Sequence, residues 1–104
     1  MLFVRKNLLS VGTHTVKVST INVINQDSPT ERILINCTHE QGSVPVISYS
    51  VAGYDMLNQV LDRYGCQELE DLKGKEVEVV IFENNNYLNA KFGSNSENSD
   101  EPTL

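Results

Sequence analysis

YDMLNQVLDRYGCQELEDLKGKEVEVVIFENNNYLNAKF, residues 54–92, is the stretch whose reading decides the fold. Its first part is a helix: Tyr54, Leu57, Val60, Leu61 and Tyr64 recur at spacings of three and four, which lays one apolar stripe along one side. Gly65 supplies a left-handed stop after Tyr64. The acidic connector CQELEDLKG leads into two alternating runs, KEVEVVIF and NYLNAKF, joined by ENNN. Val77, Val79 and Ile81 share one face of the first run, and Leu88, Ala90 and Phe92 share one face of the second. A helix and a hairpin make only half a domain, because two strands alone bury too little surface to be stable in water. The partner sheet has to come from the first half of the chain.

Working outward, the segment HTVKVSTINVIN places Val16 and Val18 in alternation with Lys17, yet its next apolar positions are Ile21 and Val23. The phase slips by one residue around Ser19 and Thr20. One extra residue moves all later side chains to the other face, so the slip predicts a single strand bent at a bulge, in preference to one strand ending at Ser19 and a new one starting at Thr20. NQDSPT is a turn by composition. ERILINCTHE then alternates again, with Ile33, Ile35 and Cys37 on one face and Arg32, Asn36 and Thr38 on the other, where Leu34 breaks the polar pattern. After a turn at Gln41-Gly42 comes a third strand, SVPVISYSV, interrupted early by Pro45, which suits an edge or a strand start. The lead-in from Met1 to Ser10 supplies Leu2, Phe3, Val4, Leu8 and Leu9 to the core, with Gly12 as a turn.

Three meandering strands with the first one bent, then a helix, then a closing hairpin follow the order of the five-stranded OB-type Greek-key barrel. The expectation is therefore a mainly β domain over 1–92, with the helix between strands three and four plugging the barrel's open end. An α+β sandwich with the helix across an open sheet is the competing architecture. Beyond it, 93–104 carries no aromatic residue and is read as a disordered acidic tail.

The chain has 104 residues, enough for one modest core, and a net charge of -6 from 14 Asp+Glu against 8 Lys+Arg. Three of the acids (Glu97, Asp100 and Glu101) follow Phe92, leaving 11 against 8 and a net of -3 for the body. Bulk charge thus gives no support to nucleic-acid binding. No run approaches the ~20 apolar residues of a membrane span, and the N-terminal apolar runs are broken by Arg5, Lys6 and Asn7, unlike a signal peptide. No membrane partner is expected. Two cysteines without a pattern of spacing make no disulfide framework, so the expected compartment is the reducing cytoplasm.

The Gly before TVKV, the helix ending RYG and the run LKGKEVEVVIFENNNYLNAKF together resemble the OB-fold single-stranded-DNA-binding proteins of bacteriophages and related mobile elements. In that group a Leu-x-Gly-Lys turn enters the fourth strand and an aromatic-x-Asn step opens the fifth. The matching positions here are Leu72, Gly74, Lys75, Tyr87 and Asn89. The resemblance implies sequence-independent binding of single-stranded DNA during replication or recombination in a bacterial host cell. It also implies that the acidic tail recruits replication or recombination proteins. The chain departs from the pattern in its acidic body and in a tail that ends Pro-Thr-Leu with no terminal aromatic.

OB domains bind strands across strands two and three, flanked by the first-to-second and fourth-to-fifth loops. Single strands need aromatic platforms for bases and cations along the backbone path. Tyr49, Phe82 and Tyr87 are the candidate platforms; Lys17, Arg32, Lys73, Lys75 and Lys91 are the candidate cations, and Asn36 lies on the same strand face as Arg32. For each the plain alternative is a core aromatic or a solubilising lysine. Tyr87 is out of phase with Leu88, Ala90 and Phe92, so it points away from the core beside Lys91. Catalysis finds little support. His14, His39, Cys37 and Cys66 lack the paired spacing of a zinc site, and no third group orients a Cys37–His39 couple. Cys37 shares the face of Ile33 and Ile35 and reads as an inert core thiol. Lys73-Gly74-Lys75 lacks the preceding glycines of a phosphate loop. No enzyme activity, metal or cofactor is expected. The alternative function is a non-enzymatic interaction module, an adaptor or inhibitor on an OB-like barrel. The oligomeric state is open, a homo-oligomer included.

Overall fold

The computed structural model describes residues 8–93. It is an antiparallel sheet curled into a half-barrel, with one α-helix. The strands are β1 (Gly12–Ile24), β2 (Arg32–His39), β3 (Gly42–Ser43), β4 (Ile47–Ser50), β5 (Glu76–Asn84) and β6 (Tyr87–Phe92), and the helix is α1 (Tyr54–Arg63). The hydrogen-bonded order is β3-β2-β1-β5-β6, with β4 also on β2.

The predicted slip in β1 is a bulge. Val18 faces Cys37 and Thr20 faces Asn36, so Ser19 is the extra residue. The bulge lets one long strand serve two neighbours: residues Gly12–Lys17 pair with β5, and Lys17–Ile24 pair with β2. It is fastened from both sides. Ser19 Oγ donates to the Asn36 carbonyl at 3.0 Å, while Val18 N–H donates to the Lys75 carbonyl at 3.0 Å and Gly74 N–H to the Val18 carbonyl at 2.8 Å. The curl brings Val16, Val18, Ile21, Ile33, Ile35, Val77, Val79 and Ile81 onto one buried inner face.

Four expectations need correction. The third strand is two short ones, because Val44-Pro45-Val46 breaks it; β3 and β4 lie along the same edge of β2, at Thr38–His39 and Arg32–Ile35 respectively. The strand count is accordingly six, and α1 follows the fourth strand, where a place after the third was expected. No ladder joins β4 to β6 among the described residues, so the sheet is open where a five-stranded barrel would close. The finer Greek-key assignment therefore does not follow from the pairing. Gly12 starts β1 and makes no separate turn.

The helix runs as read, with Leu57 and Val60 buried and Tyr54, Leu61 and Tyr64 packed half-buried on the core. Gly65 takes φ +69°, the left-handed stop. The Tyr64 hydroxyl accepts from Glu78 N–H at 3.0 Å, tying the helix end to β5. The connector contains a 3-10 turn, Leu69–Leu72, whose Glu68 and Asp71 side chains cap each other's backbone and whose Leu72 is fully buried. Within the lead-in, Leu9 is buried and bonded to Ser43, Leu8 is exposed where a core position was expected, and Leu2, Phe3 and Val4 lie outside the described residues. So does the tail beyond Gly93. No described helix is long and apolar enough to cross a membrane.

Candidate functional site

The β5–β6 hairpin turns through Asn85 and Asn86, both at positive φ (55° and 69°). Two left-handed central residues make the tight turn whose twist matches the flanking strands, and asparagine tolerates that conformation better than most residues. The turn sets the register: Asn84 faces Tyr87, Phe82 faces Asn89 and Val80 faces Lys91. These pairs alternate with Ile81–Ala90 and Val79–Phe92, which are buried. Tyr87, Asn89 and Lys91 therefore line up on the outer face of β6, with Val80 and Phe82 beside them on β5.

Within this row Phe82 lies directly opposite Asn89 and diagonal to both Tyr87 and Lys91. Lys91 Nζ sits over the Phe82 ring, 5.3 Å from its centroid. A cation held on an aromatic face places a positive charge and a flat apolar surface side by side. Tyr87 is 74% exposed, the most exposed large hydrophobic side chain among the described residues. It is an exposed ring at the first position of β6, next to the hairpin turn. Chemically, the row offers stacking surface, amide hydrogen bonding and one positive charge.

The other sequence-predicted residues fall elsewhere. Tyr49 on β4 stacks on Phe92, with centroids 6.3 Å apart and planes at 15°, across the gap between β4 and β6. Burial pushes its phenol upward, with Arg63's charge pulling the other way. It is a wall of the domain and no open platform. Arg32, Asn36 and Thr38 share the outer face of β2, as read, but two of them are engaged: Arg32 Nε donates to Ser48 Oγ at 2.8 Å and Asn36 Nδ2 to Thr20 Oγ1 at 3.0 Å. Lys17 lines a cleft of about 670 Å³ where β1 leaves β2, and there Glu40 and Glu76 offset its charge. Lys73 is paired with Glu70 at 3.0 Å, and Lys75 is half-buried in the turn that clamps the bulge. Phe82, Tyr87 and Lys91 come together on one outer face.

A second hollow, about 360 Å³, continues from that face. It is lined by Tyr49, Met56, Gln59, Val60, Arg63, Val80, Lys91, Phe92 and Gly93, and no carboxylate is among them. Arg63 was not singled out by the sequence reading. The signal existed: Met56, Gln59 and Arg63 recur at helical spacing on the flank of the apolar stripe, facing whatever lies beside it. That β6 lies there is a tertiary fact.

The cysteines and histidines do not converge. Both thiols are free and buried, and burial pushes Cys37 up from 9.0 to about 11. The His14 and His39 rings meet edge-on at 6.0 Å, but His14 Nε2 donates to the Ser10 carbonyl at 2.7 Å and His39 Nδ1 accepts from Gln41 N–H at 3.0 Å. Among the described residues no three metal-ligating side chains gather.

Comparison with protein-family models, with curated proteins and with solved structures finds no match to this chain. The reading of the site therefore rests on its geometry and chemistry.

Proposed function

We propose that this chain binds single-stranded DNA without sequence preference, across the outer face of the β5–β6 hairpin. The observation that carries the proposal is the exposed Tyr87 ring diagonal to Phe82 on the same outer face, with the Lys91 ammonium lying over the Phe82 ring. Bases of any identity have a π-face, so an aromatic platform beside a cation binds single strands while ignoring sequence. An OB-type barrel is the proposed finer architecture. Supporting it are the bent first strand shared between β2 and β5, the helix before the last hairpin, and the Tyr49–Phe92 stack at the seam where such a barrel closes. The setting proposed from the resemblance is phage or mobile-element replication or recombination in a bacterial cytoplasm, with the acidic tail kept for protein partners.

A second reading has its own support. The net charge of -6 repels polyanions, and an adaptor or inhibitor that grips another protein would not suffer from it. The experiment that separates the two is anisotropy or gel shift with fluorescent oligo-dT at low salt. Binding that weakens about tenfold in Tyr87→Ala, the effect of losing one stacked base at ~1.4 kcal/mol, supports the DNA reading. No binding by the wild type at low salt ends it and leaves the interaction module.

A further inference from the structure

The row Tyr87–Asn89–Lys91 does not stop at Lys91. The next position in the same phase is Gly93, just past the end of β6, where the sheet meets α1. Gly93 N–H donates to the Glu78 carbonyl, and its own carbonyl accepts from Arg63 Nη1. Lys91 belongs to both places: its ammonium lies on Phe82, and its side chain lines the hollow that Arg63 closes.

The charge in this hollow is unusual for so acidic a chain. Its lining residues include two cations and no carboxylate. Arg63 makes no ion pair among the described residues, where the one ion pair within 4.0 Å is Lys73–Glu70. The nearest acid on the same row, Glu78, leans against Gly93 and is not paired with Arg63. Arg63 Nε is buried without a hydrogen-bond partner among the described residues, so the guanidinium is held at Nη1 alone. Nε is closed off from the hollow, but Nη2 has no hydrogen-bond partner among the described residues, and a half-buried guanidinium with no ion pair and such a donor to offer is a seat for an anion.

We infer that Arg63 is a phosphate-contacting residue at the end of the same binding strip. A single strand stacked on Tyr87 and Phe82 passes Lys91 and places a backbone phosphate on Arg63 in the hollow between α1 and β6. This rests on the DNA reading above and extends it from the hairpin onto the helix. A phosphodiester is favoured over an acidic peptide by continuity. The hollow opens directly off the aromatic row through Lys91, and its own aromatic, Tyr49, is already stacked on Phe92.

The test uses the full chain and oligo-dT of about four and about twelve nucleotides, within the span of strand lengths that single OB-type domains cover. Affinities are measured over a salt series for wild type, Arg63→Gln and Arg63→Lys, with thermal midpoints as a check on folding. Arg63→Gln is expected to weaken the longer oligomer about fivefold, to lower the slope of log affinity against log salt by about 0.7, and to leave the shorter one unchanged. Arg63→Lys, which keeps the charge, should restore the slope. An unchanged slope in folded Arg63→Gln overturns the inference while leaving the hairpin reading in place. A wild type that binds neither oligomer overturns both. Deletion of 94–104 separates the remaining occupant: an Arg63→Gln effect that vanishes in the truncated chain makes the chain's own acidic segment the partner of Arg63, and the inference fails.

Discussion

Leu57→Ala tests whether α1 closes the half-barrel or merely lies beside it. Leu57 is 4% exposed and belongs to the single buried cluster that also holds Val60, Ile35 and Ile81. Truncation removes three carbons; at ~0.8 kcal/mol per buried methylene the transfer loss alone is about 2.4 kcal/mol. A residual void adds to this, giving roughly 2–5 kcal/mol for a leucine whose surroundings relax only in part. The surroundings here are poorly placed to collapse. The cluster is drawn from strands whose spacing is held by ladders, and the helix end is pinned by the Tyr64–Glu78 bond. In a domain of this size 1 kcal/mol moves the midpoint by roughly 4–8 °C, so the expected fall is about 8–40 °C. Circular dichroism melts and urea titration would measure it, with Asn58→Ala on the exposed side of the same helix as the control. Asn58→Ala should be neutral or slightly stabilising, because alanine is the better helix former. A Leu57→Ala midpoint within about 3 °C of wild type would refute the placement of the helix on the core.

Deleting Ser19 takes out the extra residue and leaves Ile21 in the inward phase of Val16 and Val18, so the loss is confined to the bend and the Ser19–Asn36 bond and should cost about 0.5–1.5 kcal/mol, read from the urea midpoint. A deletion that leaves stability intact would show that β1 can pair straight. Stability should also fall in alkali. Burial raises Cys37 to about 11 in the folded chain, so its contribution is complete below its ordinary value of 9.0 and disappears as pH climbs through 11. Tyr49, raised mainly by burial, acts with the same sign. The melting temperature of the wild type should therefore drop more steeply between these values than that of Cys37→Ala, and equal slopes would mean that Cys37 is not desolvated.

Much of the fold was legible in the chain because it rests on local periodicity. The stripe of α1, the alternation of β5 and β6, the stop at Gly65 and the slip at Ser19 are each one-dimensional patterns, and each has the predicted structure. The outward aim of Tyr87 follows from a period of two and was equally readable. The break at Pro45 was also visible, but not its consequence, since whether a strand splits depends on the ladder it would have joined.

What the sequence determined by itself, then, is which face each side chain takes within its own element. Only the tertiary structure decided which elements meet. Asn36 and Tyr49 read as surface candidates until Thr20 and Phe92 claimed them, and nothing singled out Arg63 until β6 came to lie against it. The physical reason is the range of the forces concerned. Side-chain phase is set by backbone geometry within a few residues. Hydrogen-bond partners and charge neighbours depend on residues brought together by the curl of the sheet, as Arg63 and Gly93 are across 30 positions of chain.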